Sequence, residues 1–336
     1  MTNQEKWKRL SAILDEAEAY GRAIGKLNFD MECCAPEEGM EQAGDDMALL
    51  GKHIHALTHS PEYAALVGEL HADGEGLSFA QRKTVEHLWE RYEKEKNLTE
   101  EFDHAWSVAA NRAYGKWLTA KKASDFSLFR DSLAEVVDFT RKAIDLRDEK
   151  PASYYNACLD DTEKGGSEAQ MDAFFGALKE RIVPLMRRIR AEGKPIREDF
   201  LTRPCPIPEQ ERFSHYLLEA EGLRKSALVL MTTEHPFTTE FGPHDVRVTT
   251  HYFEDNFISN IFSTLHEGGH ALFMQNEPEE FWREHTAGSM TNAMHECISR
   301  FYENIIGRSE AFIHFVYPKL QEISGDTFSD VSEREL

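Results

Sequence analysis

The sequence has no long apolar segment and few basic residues for its size. Its longest uninterrupted apolar runs, such as residues 227–231, are about a quarter of the length that spans a bilayer. The first residues also lack the apolar stretch of a secretory signal. Of the 336 residues, 38 are Lys or Arg and 60 are Asp or Glu, which gives a formal net charge of -22. Such a charge repels phosphate backbones and anionic lipids, so we expect no nucleic-acid or membrane partner.

Cysteine is scarce as well. The chain has five cysteines, and no pair shows the C-x-x-C spacing of a zinc site or the spacing of a disulfide framework. Disulfides are typical of oxidising compartments, whereas free thiols persist in the reducing cytoplasm. The sequence therefore predicts free thiols and a cytoplasmic location.

The first two thirds of the chain have the apolar spacing of successive helices. Over residues 6–27, apolar side chains recur every three or four positions, which is the period of an amphipathic helix. Gly21 lies on this stripe, where a small residue is expected to let a neighbouring helix come close. Similar stripes run over residues 41–58, 78–120, 126–146 and 168–189.

One segment, residues 245–252, alternates between two faces instead. The residues that share its apolar face are Val246, Val248, Thr250 and Tyr252. This pattern predicts a half-buried strand rich in β-branched residues, whose main chain could pair with an extended peptide. The predicted fold class is therefore mainly α with a small β element.

The strongest chemical signal is an H-E-x-x-H match formed by His266, Glu267 and His270. On a helix, residues i and i+4 lie on one face a turn apart, so both imidazoles can reach one metal ion. Glu267 is rotated by about 100° from His266, which places its carboxylate beside a metal-activated water rather than on the metal. Gly268 and Gly269 each cost the helix about 1 kcal/mol relative to alanine. We expect their missing side chains to admit a strand or a substrate backbone.

A catalytic zinc site usually has three protein ligands and one open position. The three-histidine form is excluded because Asn276 stands where its third histidine would be. Glu277 lies seven residues past His270, about 10 Å along the same helix, and cannot close the same coordination sphere. A better candidate is Glu296, on a predicted helix over residues 291–306 that can return antiparallel to the first. The alternative is that Glu296 is a surface carboxylate.

Two further residues are candidates for substrate contacts, and each has a structural alternative. His295 could bind substrate or line the wall of the cavity. Arg247 lies two residues from Asp245 on one face of the predicted strand. An ion pair between these two is favoured over a clamp for the substrate carboxylate.

Together these residues indicate metal-assisted hydrolysis of a peptide bond. Zinc would polarise the scissile carbonyl and activate a water, while Glu267 would take the proton and pass it to the leaving amine. The residues leave two kinds of function open. One is an enzyme that hydrolyses peptide bonds, for example a helical zinc oligopeptidase that cuts inside peptides, and the other is a non-catalytic helical module with a structural metal.

In order and spacing, four segments resemble the signature of the carboxypeptidase Taq family of metallocarboxypeptidases. They are His235-Pro236-Phe237, Asp245-Val246-Arg247-Val248-Thr249, the H-E-x-x-H helix and His295-Glu296. The resemblance runs along the whole chain. It implies a multi-helix, thermolysin-like (gluzincin) peptidase fold with a deep groove, a zinc or cobalt ion and a homodimer. It also implies removal of C-terminal residues from peptides.

The resemblance also assigns roles to residues. It implies that His266, His270 and Glu296 are the metal ligands, that Glu267 is the general base and that His235 is a substrate contact. Four residues after Glu296 stands Arg300, so the acidic residue that thermolysin-like sites have at that position is absent. What orients the histidines is therefore left open.

Members of this family are substantially longer and carry later motifs that this sequence lacks. The resemblance therefore indicates a chain truncated at its C-terminus. We expect an N-terminal helical region over residues 1–230 and a catalytic region over residues 231–336, in one continuous fold without its C-terminal part. The sequence leaves open whether such a chain hydrolyses peptides and which C-terminal residue it prefers.

Overall fold

A computed structural model of the protein describes residues 1–288 and 290–336. The helices are α1 (Asn3–Cys33), α2 (Met40–Thr58), α3 (Pro61–Ala72), α4 (Phe79–Glu95), α5 (Glu100–Ala123), α6 (Ser127–Leu146), α7 (Tyr154–Thr162), α8 (Glu168–Glu192), α9 (Ile207–Ala220), α10 (Phe257–Gln275), α11 (Glu279–Arg283), α12 (Asn292–Arg300) and α13 (Glu310–Ser324). The strands are β1 (Leu228–Thr232), β2 (Thr238–Glu240) and β3 (Val246–Thr250). A turn of π-helix, Phe301–Ile306, continues α12.

The chain folds into two compact units. The first comprises Met1–Ala157 with Glu279–Ser289, and the second comprises Cys158–Pro278 with Met290–Leu336. All proposed metal ligands and the proposed base belong to the second unit. The two compact units do not test the predicted boundary between an N-terminal region and a catalytic region at residue 230. That boundary stays a prediction.

In the first unit, α1 buries much of its predicted apolar stripe, whereas α6 leaves side chains such as Phe126 and Leu128 of its stripe exposed. Thr2 begins α1 with a capping box, in which its hydroxyl accepts from the backbone N–H of Glu5. One face of α1 then buries Trp7 and Leu10 against Val67 of α3. The predicted role of Gly21 is wrong, because a Cβ at this position would meet no atom within 4 Å.

The predicted stripe over residues 78–120 proves to be two helices, α4 and α5. The break lies at Thr99, whose hydroxyl accepts from the backbone N–H of Phe102 at 3.2 Å. A threonine cap satisfies a donor that is otherwise unpaired at the start of a helix. This local hydrogen bond starts a new helix although the apolar period continues across the break.

The strand predicted near residues 245–252 is confirmed as β3, but its surroundings differ from the prediction. The sheet order is β1-β3-β2, with β1 parallel and β2 antiparallel to β3. Both edges of β3 are therefore paired, so the expectation that an extended peptide pairs with this strand is wrong. Thr249, which does not belong to the predicted apolar face, is also buried, and its hydroxyl accepts from the backbone N–H of Phe237 at 2.8 Å.

Helix α10 lies in the core of the second unit. On one side Phe257, Ile261 and Leu265 pack with α9 and α13 residues such as Phe213 and Leu320. On another side, Ala271 packs against β3. Since α10 is held by helices and a sheet together, the side chains that it projects are fixed in position.

The secondary structure of the described residues is mainly α with one small sheet, as predicted. Among these residues, no helix combines the length and apolar character needed to cross a membrane. The thiols of Cys158, Cys205 and Cys297 are free.

Candidate metal centre

Helix α10 presents the two histidines of the H-E-x-x-H match to one side. Asn256 caps the helix by accepting from the backbone N–H of Ser259 at 3.2 Å. The rings of His266 and His270 lie one turn apart, with centroids separated by 5.0 Å. The i, i+4 spacing thus brings both imidazoles together as expected.

Glu296 comes from α12, which Thr291 caps. Its Oε2 lies 3.6 Å from Nε2 of His266, and its Oε1 lies 3.8 Å from Nε2 of His270. One ligand atom from each of the three residues lies within 4.8 Å of the others. Ligands bound at 2.0–2.1 Å around a tetrahedral zinc are about 3.4 Å apart, and the two distances from Glu296 to the histidines, 3.6 and 3.8 Å, are near this value.

The two glycines between the histidines allow close contacts, but not those predicted. A Cβ on Gly269 would lie 2.9 Å from the backbone Cα of Ser299 in α12. A Cβ on Gly268 would lie 1.7 Å from Oε2 of Glu221. The expectation of a strand or substrate backbone is therefore wrong, since a second helix and a buried glutamate occupy these places. Gly269 lets the helix that carries Glu296 approach the histidines.

Glu267, which is buried, is held by the sheet. The hydroxyl of Thr238, in β2, lies 2.7 Å from Oε2 of Glu267 and 2.9 Å from its carbonyl oxygen. Burial raises the pKa of Glu267, while the hydrogen bond from Thr238 works against this rise. The contact of Thr238 with Glu267 was not predicted from the sequence, because a strand of three residues is too short to show an alternating pattern.

Burial also sets the protonation of the nearby histidines. It lowers the pKa of His270 to about 4, with the charge of His266 acting in the same direction. The imidazole of His270 is therefore neutral at neutral pH, as a metal ligand must be. Burial likewise lowers the pKa of His295, whose ring centroid lies 5.7 Å from that of His270. His295 thus lies beside the candidate centre.

The second nitrogen of His266 contacts a carboxylate that the sequence did not single out. Nδ1 of His266 lies 3.0 Å from Oε2 of Glu303, in the π-helical turn that follows α12. The sequence predicted one regular helix over residues 291–306, which contains Glu303. A helix of 3.6 residues per turn gives no indication that this residue reaches α10.

The other predicted substrate contacts lie around the sheet. Arg247, on β3, makes a bidentate ion pair with Asp245, at 2.9 and 3.1 Å, and stacks over the ring of Phe241. The ion pair between Arg247 and Asp245, which was favoured from the sequence, is therefore formed. His235 lies in the loop between β1 and β2, and its carbonyl accepts from Thr233. Substrate roles for Arg247, His235 and His295 stay predictions.

Glu240, at the end of β2, has a pKa that depends on burial. Burial and the charge of Glu277 raise the pKa of Glu240 to about 7 from 4.5. Between these two pH values the folded protein keeps a proton that the unfolded chain has lost, so the free energy of unfolding falls as pH rises. A glutamine removes this dependence.

We therefore expect Glu240→Gln to increase the free energy of unfolding at pH 8 by roughly 1–3 kcal/mol, and by much less at pH 5. Urea unfolding at both pH values measures the difference. Glu322→Gln, at an exposed position of α13, is the control and should show no such change. Equal gains for Glu240→Gln at the two pH values would contradict burial as the cause.

The chain is similar to known proteins over most of its length. A family model described as carboxypeptidase Taq (M32) metallopeptidase matches residues 9–336. Carboxypeptidase 1 of Bacillus subtilis (strain 168) is 33% identical over 327 residues, which cover 97% of this chain and 65% of the relative. Thermostable carboxypeptidase 1 of Pyrococcus furiosus is 34% identical over 323 residues, which cover 95% of this chain and 64% of the relative. The chain thus spans slightly less than two thirds of these relatives' length.

Solved structures of similar proteins share the fold of this chain. A crystal structure described as BsuCP has a TM-score of 0.91 at 32% identity, covering 98% of this chain and 66% of the other. A structure of Pyrococcus furiosus carboxypeptidase, described as apo-Mg, has a TM-score of 0.87 at 30% identity and the same coverage. These similarities confirm the predicted mainly helical fold.

Proposed function

Because the chain belongs to the carboxypeptidase Taq (M32) family of metallopeptidases, we propose that it acts as a metallocarboxypeptidase on peptides. The observation that carries the proposal is the convergence of His266, His270 and Glu296 on one point, with a buried glutamate between the two histidines in sequence. Two neutral nitrogens and one carboxylate are a typical catalytic zinc set.

The proposed metal is zinc, with cobalt as an alternative. Two imidazoles and one carboxylate suit a borderline ion of this kind better than calcium or magnesium, which prefer oxygen ligands. A divalent ion bound there would lower the pKa of water and polarise a carbonyl oxygen. The metal is bound only when both imidazoles are neutral, a condition that the lowered pKa of His270 favours.

Glu267 is the proposed general base. Its raised pKa brings the carboxylate closer to the working pH, which improves proton transfer in both directions. Glu267 takes a proton from the attacking water and later gives it to the leaving amine. The hydroxyl of Thr238 restrains this carboxylate, so we propose that Thr238 keeps it aimed at the reacting atoms.

We propose that the substrate main chain pairs with β2. In the described part of the chain, the only strand that pairs with β2 is β3, so β2 is an edge of the sheet, and edge strands accept extended peptides. β2 also carries Thr238, so a peptide paired there lies beside Glu267. His235, Arg247 and His295 are the proposed substrate contacts from this chain.

The proposed partners are peptides and a second copy of the chain. The homodimer rests on the family resemblance. A nucleic-acid partner is disfavoured by the net charge of -22. The proposed cytoplasmic location rests on the free thiols of Cys158, Cys205 and Cys297.

A single peptide with two kinds of C-terminus tests the proposal. The zinc-loaded chain is given one peptide with a free C-terminal carboxylate and the same peptide with an amide. We expect residues to be released one at a time from the free form, with the amide cleaved at least roughly thirtyfold more slowly, since losing one charged partner costs about 2 kcal/mol or more. Mass spectrometry over time measures both rates.

The outcomes separate the alternatives. Equal cleavage of both peptides at internal bonds would contradict an exopeptidase and favour an oligopeptidase. Stoichiometric zinc binding with no cleavage of either peptide would favour a structural metal. The Bacillus subtilis relative, assayed in parallel, shows whether the assay detects a carboxypeptidase.

A further inference from the structure

The two nitrogens of His266 have different partners. Nε2 faces Glu296, at 3.6 Å, whereas Nδ1 lies 3.0 Å from Oε2 of Glu303. The side chain of Glu303 is 12% exposed and that of Glu296 is 52% exposed. The carboxylate on the Nδ1 side is therefore the one enclosed by protein.

Two arginines fix the carboxylate of Glu303. Arg300 lies 2.9 Å from Oε2, and Arg308 lies 3.4 Å from Oε1. The guanidinium of Arg308 also lies over the ring of Phe262 in α10, 3.7 Å from its centroid. Both oxygens of Glu303 are thus held while one of them faces His266.

The backbone geometry also brings Glu303 to this place. The turn Phe301–Ile306 is π-helical, and the backbone N–H of Gly307 donates to the carbonyl of Tyr302, five residues earlier, at 2.7 Å. A Cβ on Gly307 would lie 2.6 Å from Cδ1 of Leu265, the residue before His266. The widened turn is therefore packed directly against the part of α10 that carries the ligand.

We propose that Glu303 is a positioning residue that orients His266 for metal binding. A neutral imidazole has one N–H, and a carboxylate that accepts from Nδ1 leaves the lone pair on Nε2. Nε2 is the atom that faces Glu296, so this tautomer directs the lone pair to the metal position. The inference rests on the proposed function for the identity of the metal, but its test is independent of catalysis.

Two conservative variants distinguish positioning from a plain ion pair. Glu303→Gln keeps an oxygen acceptor at the same distance but loses the charge, whereas Glu303→Asp keeps the charge but withdraws it by one methylene. If Glu303 positions His266, zinc should bind more tightly to Glu303→Gln than to Glu303→Asp. If Glu303 only neutralises Arg300 and Arg308, zinc should bind more tightly to Glu303→Asp than to Glu303→Gln.

The measurement is zinc affinity by competition with a chelator on the full chain. We expect Glu303→Asp and Glu303→Ala to bind zinc about 10- to 100-fold more weakly, the usual loss when such a partner is removed, and Glu303→Gln to lose less than tenfold. Glu322→Ala, which removes an exposed glutamate bonded to Lys319, is the matched control and should bind like the original chain.

A second readout does not depend on metal. Long-range proton–nitrogen NMR of labelled histidine reports which ring nitrogen of His266 carries the proton in the metal-free chain. We expect the Nδ1–H form in the original chain and in Glu303→Gln, and a shift towards the Nε2–H form in Glu303→Asp.

The possible failures are distinguishable. If the original chain binds no zinc, or if Glu296→Gln binds it equally well, the metal centre of the proposed function is wrong. If the original chain binds zinc and all Glu303 variants stay within twofold of it with an unchanged His266 tautomer, only the role of Glu303 is overturned.

Discussion

Glu267→Gln is expected to abolish peptide hydrolysis while leaving metal binding intact. A glutamine has nearly the same shape and can still accept a hydrogen bond from Thr238, but it cannot take a proton. General base catalysis contributes about 10²–10⁴-fold to a rate, so kcat should fall by at least roughly a hundredfold. Zinc content should stay near one per chain, because the three ligand atoms belong to other residues.

The same substitution at Glu296 is the control for this result. Glu296→Gln replaces a charged ligand by a neutral amide, so it should lose zinc and activity together. Zinc content by atomic emission and release of C-terminal residues are measured on both variants. Equal zinc loss in Glu267→Gln and Glu296→Gln would contradict the division into base and ligand. An active Glu267→Gln would exclude Glu267 as the base.

The proximity of the three proposed metal ligands could be predicted because most of their geometry is local. The spacing of His266 and His270 places two imidazoles on one helix face whatever surrounds the helix. Glu296 required one further step, the return of a second helix, and the chain between His270 and this residue is long enough for it. The structure brings all three together, as the sequence predicted.

The residues around the ligands could not be predicted, because their positions depend on packing. Thr238 reaches Glu267 from a three-residue strand that is defined by its pairing with β3. Glu303 reaches His266 because the turn after α12 is π-helical, which the apolar period does not reveal. The break before α5 was missed for a similar reason, since a cap at Thr99 outweighs an uninterrupted stripe.

The glycines show most clearly that contacts set by packing cannot be predicted from the sequence. Gly21 and Gly269 both lie on helices and looked alike in the sequence, as sites of close approach. A Cβ at Gly21 would meet nothing within 4 Å, whereas one at Gly269 would meet backbone atoms of α12. Whether a helical glycine is required depends on the neighbouring element, which is known only from the fold.

Gly269→Ala is therefore expected to weaken both the fold and the metal centre. The added Cβ would lie 2.9 Å from Cα of Ser299 and 3.3 Å from the carbonyl oxygen of Ile298, and backbone cannot turn aside as a side chain can. Overpacking of this kind costs about 1–3 kcal/mol, while the better helix propensity of alanine returns at most about 1 kcal/mol. We expect a net loss of stability.

The effect on zinc should be larger than the effect on stability. Helix α12 carries Glu296, so moving it away from α10 by a few tenths of an ångström takes the carboxylate out of reach of a good bond. Metal sites tolerate errors of only about 0.2 Å in ligand distance. Zinc affinity should therefore fall at least roughly tenfold, or about 1.4 kcal/mol.

Gly176→Ala, in α8, is the matched control, since a Cβ there meets no atom within 4 Å. It should raise the free energy of unfolding by roughly 0.5–1 kcal/mol and leave zinc affinity unchanged. Gly268→Ala should lie between the two, because its Cβ meets the end of the Glu221 side chain, which can rotate. Zinc binding by Gly269→Ala as tight as that of Gly176→Ala would show that the contact between α10 and α12 does not set the position of Glu296.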